Sequence, residues 1–339
     1  MFVRTAVVLL ACFILLPLNA SAWKRGDVQR FATIPATGDP RNANPEGIAV
    51  DRTNGDIYVA TFAVGAASGP GKVFVFGANG ALKRELEVEG STNLLLGLDF
   101  HPKTGALLVI DFGGKQVLKV DPNTGAATVF TVIPGGGNAG PNALTFDGAG
   151  RVYISDSFQG IIWRTGQNGG TATAWASDAL LTTTGFPPFG ANGMGFNSDQ
   201  SALFVANTGN DTVVRIPVKG SNAGTAAVFV NSVNGADGLF VDENDSVWIC
   251  ANQADEIVVV DKTGKVIAKL GDFGGELDTD GAPKGLLFPA SLVRSGGFIY
   301  IANLSLDLRL FGLPQSVDSQ WAAQVSTHTI SRISATIPK

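Results

Sequence analysis

A repeat of short apolar segments constrains the fold of this 339-residue chain more than any other feature. Six segments share one pattern, in which alternating apolar residues run into a turn. They read "PEGIAVD", "LLGLDFH", "PNALTFD", "ANGMGFN", "ADGLFVD" and "PASLVRS". They begin at residues 45, 95, 141, 191, 236 and 289, so 45 to 53 residues separate successive copies. A period of this length is typical of propeller blades, each built from four strands.

Further strands follow each of these first segments. A turn leads to a second apolar strand, such as "DIYVATF", and then to a third, such as "KVFVF"; all six copies contain both. A fourth strand follows the third only five times, and the missing copy stands at the other end of the chain as "VQRFATI", residues 28–34. Such an N-terminal strand completes the last blade and removes a free edge. The sequence therefore predicts an all-β, six-bladed β-propeller with four antiparallel strands per blade.

Composition agrees with this architecture and limits the partners. The chain has 43 Gly and is 45% hydrophobic and 16% charged, which favours a globular protein of short strands and tight turns. We expect residues 23–339 to form one domain and to be monomeric. The formal net charge is −5 and Lys and Arg form no runs, so we expect no nucleic-acid partner.

The N-terminus predicts export. Residues 1–22 combine an early Arg4, an apolar stretch to Leu18, and small residues that suit cleavage before Trp23. We interpret them as a secretory signal peptide, with an uncleaved membrane anchor as the alternative. The mature protein is then secreted or periplasmic, with no membrane association. Cleavage leaves Cys250 as the single cysteine, and its place in a strand pattern predicts a buried thiol rather than a nucleophile.

Polar residues stand where several inner strands begin. In a propeller the inner strands line a central channel, and each starts on the same face, which we call the site face. We expect the long loops there as well, because they follow the second and fourth strands. The residues at this position are, blade by blade, Glu46, Leu96, Asn142, Asn192, Asp237 and Ala290. The alternative for any one of them is turn chemistry, because Asn-Gly and Asp-Gly are common turn formers.

Four of these residues carry side-chain oxygens, and together they suit a hard divalent cation. Glu46, Asn142, Asn192 and Asp237 contribute two carboxylates and two amides, and no Lys or Arg occupies the same position in another blade. Buried charges of this kind pair or bind metal. Ca²⁺ is the best match to an all-oxygen set, with Mg²⁺ or Mn²⁺ as alternatives. The absence of His and Cys argues against a zinc site.

These residues also carry a resemblance. The chain resembles the senescence marker protein, gluconolactonase and luciferin-regenerating enzyme family, six-bladed propellers that hold a divalent cation with Glu, Asn, Asn and Asp in that order. "PEG", "PNALTFD", "ANGMGF" and "ADGLFVD" match the four positions. The resemblance implies that Glu46, Asn192 and Asp237 bind the metal directly. It implies that Asn142 acts on the metal, on water or on substrate.

The resemblance also implies a reaction. We expect metal-assisted hydrolysis of a lactone or small ester, with Asp237 and Asn142 as the catalytic residues. Ala143 and Leu144 follow Asn142 where gluconolactonases have Asp and Gly, so sugar-acid specificity does not carry over. The alternatives are a non-enzymatic binding propeller of the NHL type with a structural cation, and hydrolysis of phosphotriesters on the same metal. We expect His101 at the surface and His328 in a structural role.

Overall fold

The structure confirms the six-bladed propeller. This computed structural model describes residues 23–35, 43–65, 69–314 and 318–338, so the predicted signal peptide lies outside the described residues. The six inner strands are Pro45–Val50, Leu95–Phe100, Pro141–Phe146, Ala191–Phe196, Ala236–Val241 and Pro289–Ser295. The second strands are Ile57–Thr61, Leu107–Asp111, Val152–Asp156, Ala202–Asn207, Val247–Ala251 and Phe298–Asn303. Each pairs antiparallel with the inner strand of its own blade.

The outer half of each blade has the same antiparallel order. The third strands are Lys72–Phe76, Gln116–Val120, Ile161–Gly166, Thr212–Lys219, Glu256–Val260 and Thr329–Ser334. The fourth strands are Leu82–Glu87, Ala127–Val132, Gly169–Ser177, Ala227–Val230, Val266–Leu270 and, from the N-terminus, Gln29–Thr33. A short extra strand, Asn222–Ala223, also pairs with the third strand of blade four.

The N-terminal strand closes the ring, as the sequence predicts. Gln29–Thr33 pairs antiparallel with Thr329–Ser334 and so completes blade six. Its continuation buries Ile34, which is 1% exposed, in a cluster with Ile57 of blade one and Tyr300 of blade six. Full burial of such a side chain contributes about 1.5–3 kcal/mol. The closure therefore joins the first and last blades by packing as well as by backbone pairing.

The hydrophobic core is divided among the seams between blades. One apolar cluster lies at each of the six seams, built from facing residues of neighbouring sheets. Cys250 belongs to the cluster between blades five and six and is 0% exposed, which confirms the predicted buried thiol. The protein has no disulfide among its described residues. Its stability therefore comes from these seams.

Every inner strand has a β-bulge near its start. In blade four Ala191 pairs with Asn207 and Met194 with Val205, so the inner strand has one residue more than its partner. The register shifts at the corresponding place in the other five blades. A bulge bends the strand and turns a side chain away from the sheet's regular alternation. The bulged residues include the six that the sequence analysis places at the channel mouth.

Glycine follows Glu46, Asn192 and Asp237 because neighbouring inner strands nearly touch. A Cβ added to Gly193 would lie 2.5 Å from the carbonyl oxygen of Asp237, and one added to Gly238 would lie 2.5 Å from that of Ala290. Neither glycine has a positive φ. Asn192-Gly193 therefore lies within a strand and is not a turn, and its glycine permits the close approach of the next blade.

The long segments between blades contain elements that the sequence analysis did not predict. A two-stranded hairpin, Phe273–Leu277 with Pro283–Gly285, precedes blade six. In the described parts of the chain, the remaining elements are the 3-10 turns Gly136–Asn138, Ala179–Leu181 and Leu308–Phe311 and the one-turn α-helix Ser319–Ala322. Within the described ranges, no helix has the length and apolar character needed to cross a membrane.

We predict that Gly193→Ala destabilises the protein by about 1–3 kcal/mol, because the added methyl group overpacks the contact between blades four and five. Urea unfolding followed by circular dichroism measures this change. Gly148→Ala is the matched control, because a Cβ at Gly148 meets no atom within 4 Å. Equal stability of the two variants would contradict the close contact.

Candidate functional site

The bulges direct four polar side chains into one cavity on the site face. Glu46, Asn142, Asn192 and Asp237 all line it. Each is only 5% exposed. Leu96 lines the same cavity, and Ala290 is fully buried. The structure thus brings together side chains from four different blades, although their roles in metal binding and catalysis stay predictions.

A second set of residues, missed by the sequence analysis, holds these side chains. It consists of the residue directly after each second strand, which we call the partner column: Phe62, Phe112, Ser157, Thr208, Asn252 and Leu304. In blades three to five this residue is polar and forms a hydrogen bond to the bulge residue of its own blade. These bonds run from Asn142 Nδ2 to Ser157 Oγ at 3.2 Å, from Asn192 Nδ2 to Thr208 Oγ1 at 2.9 Å, and from Asn252 Nδ2 to Asp237 Oδ2 at 2.8 Å.

The partner column orients the amides. Asn142 and Asn192 donate through nitrogen to hydroxyl groups of their own blades, so these bonds leave their amide oxygens available as acceptors. Ser157 is itself fixed, since its hydroxyl donates to the carbonyl oxygen of Ala191 at 2.7 Å. Such supporting bonds set the geometry of metal ligands in proteins. The repeat could have shown this column, because its residues recur at one place in the pattern.

The two carboxyl groups are buried close to each other. Burial raises the pKa of Glu46 well above its usual range, and the nearby Asp237 carboxylate raises it further. Burial also raises the pKa of Asp237 to about 7, against hydrogen bonds from Asn252, Asn192 and the backbone N–H of Gly238. No basic side chain in the cavity wall stabilises the charged form of either group.

Two buried carboxylate oxygens of the site have no hydrogen-bond partner. Glu46 Oε2 and Asp237 Oδ1 are buried and accept no hydrogen bond. No Lys, Arg or His lines the cavity. Buried carboxylates need a partner charge, and a cation between these two would supply it. The residues present therefore fit a divalent cation with oxygen ligands.

Two acidic residues, Glu46 and Asp237, line this cavity. Within the described part of the chain, no three His, Cys, Asp or Glu side chains group together as a metal site. Amide oxygens of Asn142 and Asn192 would have to complete the coordination of any ion. Ca²⁺ accepts amide and water oxygens readily, which suits such a mixed set.

Apolar residues form the rest of the cavity wall. They are Phe62, Leu96, Pro187, Phe189, Phe288, Leu304, Leu306 and Leu308. All of them except Leu96 lie in four long segments between strands on the site face. The cavity has a volume of about 50 Å³, which exceeds the roughly 10–15 Å³ that one water molecule needs. It therefore has room for an ion with water at the polar end.

The opposite mouth of the channel is wider but chemically different. A cavity of about 300 Å³ opens there, lined by the far ends of the inner strands and by Arg52, Asp99 and Arg294. Burial raises the pKa of Asp99 to about 6, against the N–H of Phe100 and the charge of Arg52. Arginines accompany this single carboxyl group, so a cation site is better supported on the site face.

The two histidines lie away from the oxygen cluster. The prediction that His101 is a surface residue is wrong: its side chain is 1% exposed, and Nε2 bonds to the carbonyl oxygen of Gly150 at 2.8 Å. Its Nδ1 accepts the backbone N–H groups of Lys103 and Thr104. The ring therefore stabilises a turn and the next blade. His328 is 2% exposed and directly precedes its strand, and neither histidine lines the cavity.

A second pair of carboxyl groups supports the cavity wall. Asp255 and Asp318 are 8% and 3% exposed, and Asp255 accepts the backbone N–H of Phe288 at 2.7 Å. Burial raises the pKa of Asp255 to about 8, and repulsion from Asp318 and Asp272 adds to this. Burial also raises the pKa of Asp318 to about 6. Burial therefore favours the protonated form of both groups, although the N–H of Phe288 favours the charged form of Asp255.

The fold and the cluster define a class: six-bladed propellers with acidic and amide side chains at one mouth of the channel. Residues 100–271 match the SMP-30/Gluconolactonase/LRE-like region. This match spans half of the chain, and the protein belongs to that family, as the resemblance predicts. The matched segment contains Asn142, Asn192 and Asp237, whereas Glu46 precedes it.

Solved structures share the fold at low sequence identity. A gluconolactonase from Xanthomonas campestris is 13% identical, with 92% of this chain and 90% of that chain covered and a TM-score of 0.62. Regucalcin from Agrobacterium tumefaciens, a calcium-binding protein, is 16% identical, with 85% and 89% covered and a TM-score of 0.61. Virginiamycin B lyase from Staphylococcus aureus is 13% identical, with 82% of both chains covered and a TM-score of 0.55. A sequence comparison with curated proteins gives no match.

We predict that the buried acid pair makes stability fall as pH rises. Both carboxyl groups have higher pKa values in the folded protein than the usual value near 3.8. Their stabilising contribution is therefore complete below about pH 4. It is lost as pH rises through about 6 and 8. Asp255→Asn removes one titrating group while its amide oxygen can still accept from Phe288.

The free energy of unfolding, measured by denaturant titration between about pH 4 and pH 9, should fall less steeply for Asp255→Asn than for the wild type. The exposed Glu87→Gln serves as the control and should keep the wild-type slope. Parallel curves for the wild type and Asp255→Asn would show that the pair does not titrate in this range.

Proposed function

We propose that the protein is an exported, metal-dependent hydrolase that acts on a lactone or small ester at the site-face cavity. The main support is one observation: Glu46 and Asp237 are buried together, with an unsatisfied oxygen atom on each and no basic residue in the wall. Membership of a family that includes gluconolactonases supports a lactonase-type hydrolase. Regucalcin as a calcium-binding neighbour in fold supports Ca²⁺ as the ion.

A bound divalent cation would polarise the substrate carbonyl and lower the pKa of a water molecule. Glu46, Asn192 and Asp237 would hold it, since they bring two carboxylates and an amide oxygen from three blades to one point. Asn142 would orient substrate or water through the amide group that Ser157 fixes. The hydroxyls of Ser157 and Thr208 thus act as positioning groups for the two amides.

Asp237 is the proposed proton carrier. Its Oδ2 accepts a hydrogen bond from Asn252 and would also hold the ion, which leaves Oδ1 to accept a proton from the reacting water. As the water oxygen forms its bond to the carbonyl carbon, Asp237 Oδ1 takes the proton that the water loses. The bond between the carbonyl carbon and the ring or ester oxygen then breaks, and the proton passes to that oxygen. The products are a hydroxy acid from a lactone, or an acid and an alcohol from an ester.

We predict that Asp237→Ala abolishes both metal binding and hydrolysis. Supporting residues around metal sites already cost about 10–100-fold in affinity when changed, so loss of an acidic ligand should cost at least about 100-fold. Metal content is measured by mass spectrometry after dialysis. Turnover is measured on a panel of lactones, aryl esters and phosphotriesters, with and without chelator.

Two variants sharpen this experiment. Thr208→Val keeps all four oxygen side chains and removes only the hydroxyl that orients Asn192, so metal affinity should fall by about 10–100-fold without complete loss. Glu243→Gln changes an exposed carboxylate and should behave as the wild type. Metal binding without turnover on any member of the panel would instead favour the non-enzymatic binding propeller. Faster turnover of phosphotriesters than of lactones would favour the third alternative.

We further propose that residues 1–22 direct export to the periplasm or outside the cell and are then removed. The support is the sequence pattern alone, with its apolar stretch and small residues before Trp23. Expression of the full chain in a bacterial host, followed by N-terminal sequencing of the exported protein, should give Trp23 as the first residue. A full-length chain recovered from the membrane fraction would indicate an uncleaved anchor.

A further inference from the structure

We propose that the substrate of this site carries apolar groups beside its reacting carbonyl, such as an alkyl- or aryl-substituted lactone. We infer that Leu308, Phe189 and Phe62 select it. This inference rests on the proposed function, because it specifies the substrate class of the same cavity. The name gluconolactonase suggests a different substrate, a ring with several hydroxyl groups.

The wall of the cavity contains few groups that could bind a hydroxyl. Its polar members are the oxygen cluster and its partners Thr208 and Asn252. Thr208 accepts from Asn192, and Asn252 donates to Asp237. A bound cation would occupy the remaining oxygens of the cluster. A substrate hydroxyl would therefore be buried against carbon atoms and lose its hydrogen bonds to water.

Apolar side chains form the rest of the cavity wall. Phe62 belongs to blade one, Phe189 to the segment before blade four, and Leu308 to the segment after the second strand of blade six. Together with Leu304 and Leu306 they surround the oxygen cluster from several directions. Leu308 and Phe62 are 1% and 4% exposed, so the cavity offers substrate a desolvated surface. The cavity is small, so any bound ring would touch this surface directly.

A path of aromatic contacts leads from the cavity wall to two exposed rings. The ring centroid of Phe112 lies 6.0 Å from that of Phe62, 5.7 Å from that of Phe158 and 6.4 Å from that of Phe189. Phe311 stacks on Phe62 at 6.0 Å. Phe158 and Phe311 are each 44% exposed. Apolar groups of a substrate would thus meet carbon surface from the rim inward.

Lys115 lies beside this path. Lys115 places its ammonium 4.1 Å from the ring centroid of Phe112 and 5.9 Å from that of Phe158. The ammonium group therefore interacts with these aromatic faces. Lys115 does not line the cavity. No basic residue of the wall would attract a sugar acid or a phosphate group. The selection we infer therefore depends on shape and on carbon surface.

The first experiment compares two substrates on the calcium-loaded protein. We expect kcat/KM for γ-nonalactone to exceed that for D-glucono-δ-lactone by at least about 100-fold, which is the discrimination that a single misplaced hydroxyl can produce. In parallel, calorimetry measures binding of the two corresponding lactams, which resist hydrolysis. The apolar lactam should bind more tightly by a similar factor.

Variants test the named residues. Leu308→Asn should lower kcat/KM for γ-nonalactone by at least about 10-fold. It should also reduce the preference for that substrate over the polyhydroxylated one. Leu82→Asn makes the same change on an exposed outer strand, where Leu82 is 44% exposed, and should leave the preference unchanged. If Leu308→Asn does not fold, Phe62→Ala and Phe189→Ala test the same wall. An unchanged preference in all folded wall variants would overturn the assignment of these residues.

The outcomes separate this inference from the proposed function. Turnover that favours D-glucono-δ-lactone would overturn the apolar substrate class while supporting the hydrolase. Tight binding of the apolar lactam without turnover of any lactone would support the apolar site and overturn the hydrolase. Failure of both substrates and both lactams would overturn both proposals.

Discussion

The close approach of neighbouring inner strands is the constraint on which the rest of this structure depends. At Gly193 a single methyl group would lie within 2.5 Å of the next blade's backbone. This contact is possible because each inner strand bulges at its start, and the bulge also turns one side chain per blade into the channel mouth. The packing of the ring and the geometry of the oxygen cluster therefore have one cause. Changing the strand spacing would move the four oxygen-bearing side chains as well as the seams.

Much of the architecture could be predicted because it repeats. The period, the four strands per blade and the closing strand at residues 28–34 each leave an apolar pattern that recurs along the chain. The positions of Glu46, Asn142, Asn192 and Asp237 followed from their common place in that pattern. Only closure of the ring brings these four residues together in space. The fourth strand of the last blade, found at the N-terminus, indicated that closure. Family membership then agreed with the same residues.

The features that escaped prediction depend on contacts between distant segments. His101 has a polar side chain in a turn, which suggests exposure, yet the next blade covers it and Gly150 accepts its hydrogen bond. The pairing of Asp255 with Asp318 joins a tight turn to a helix 63 residues later, with no sequence pattern to show it. The apolar wall comes from irregular segments whose paths no periodicity describes. Each depends on tertiary packing rather than on local propensity.

The partner column divides the ring into two halves. Blades three to five carry Ser157, Thr208 and Asn252 there, whereas blades six, one and two carry Leu304, Phe62 and Phe112. Glu46 therefore has no polar residue at this position of its own blade, which explains its unsatisfied oxygen. At this position the cavity wall is polar in blades four and five and apolar in blades six and one. Six nearly equivalent blades thus produce a directional site through differences at one position per blade.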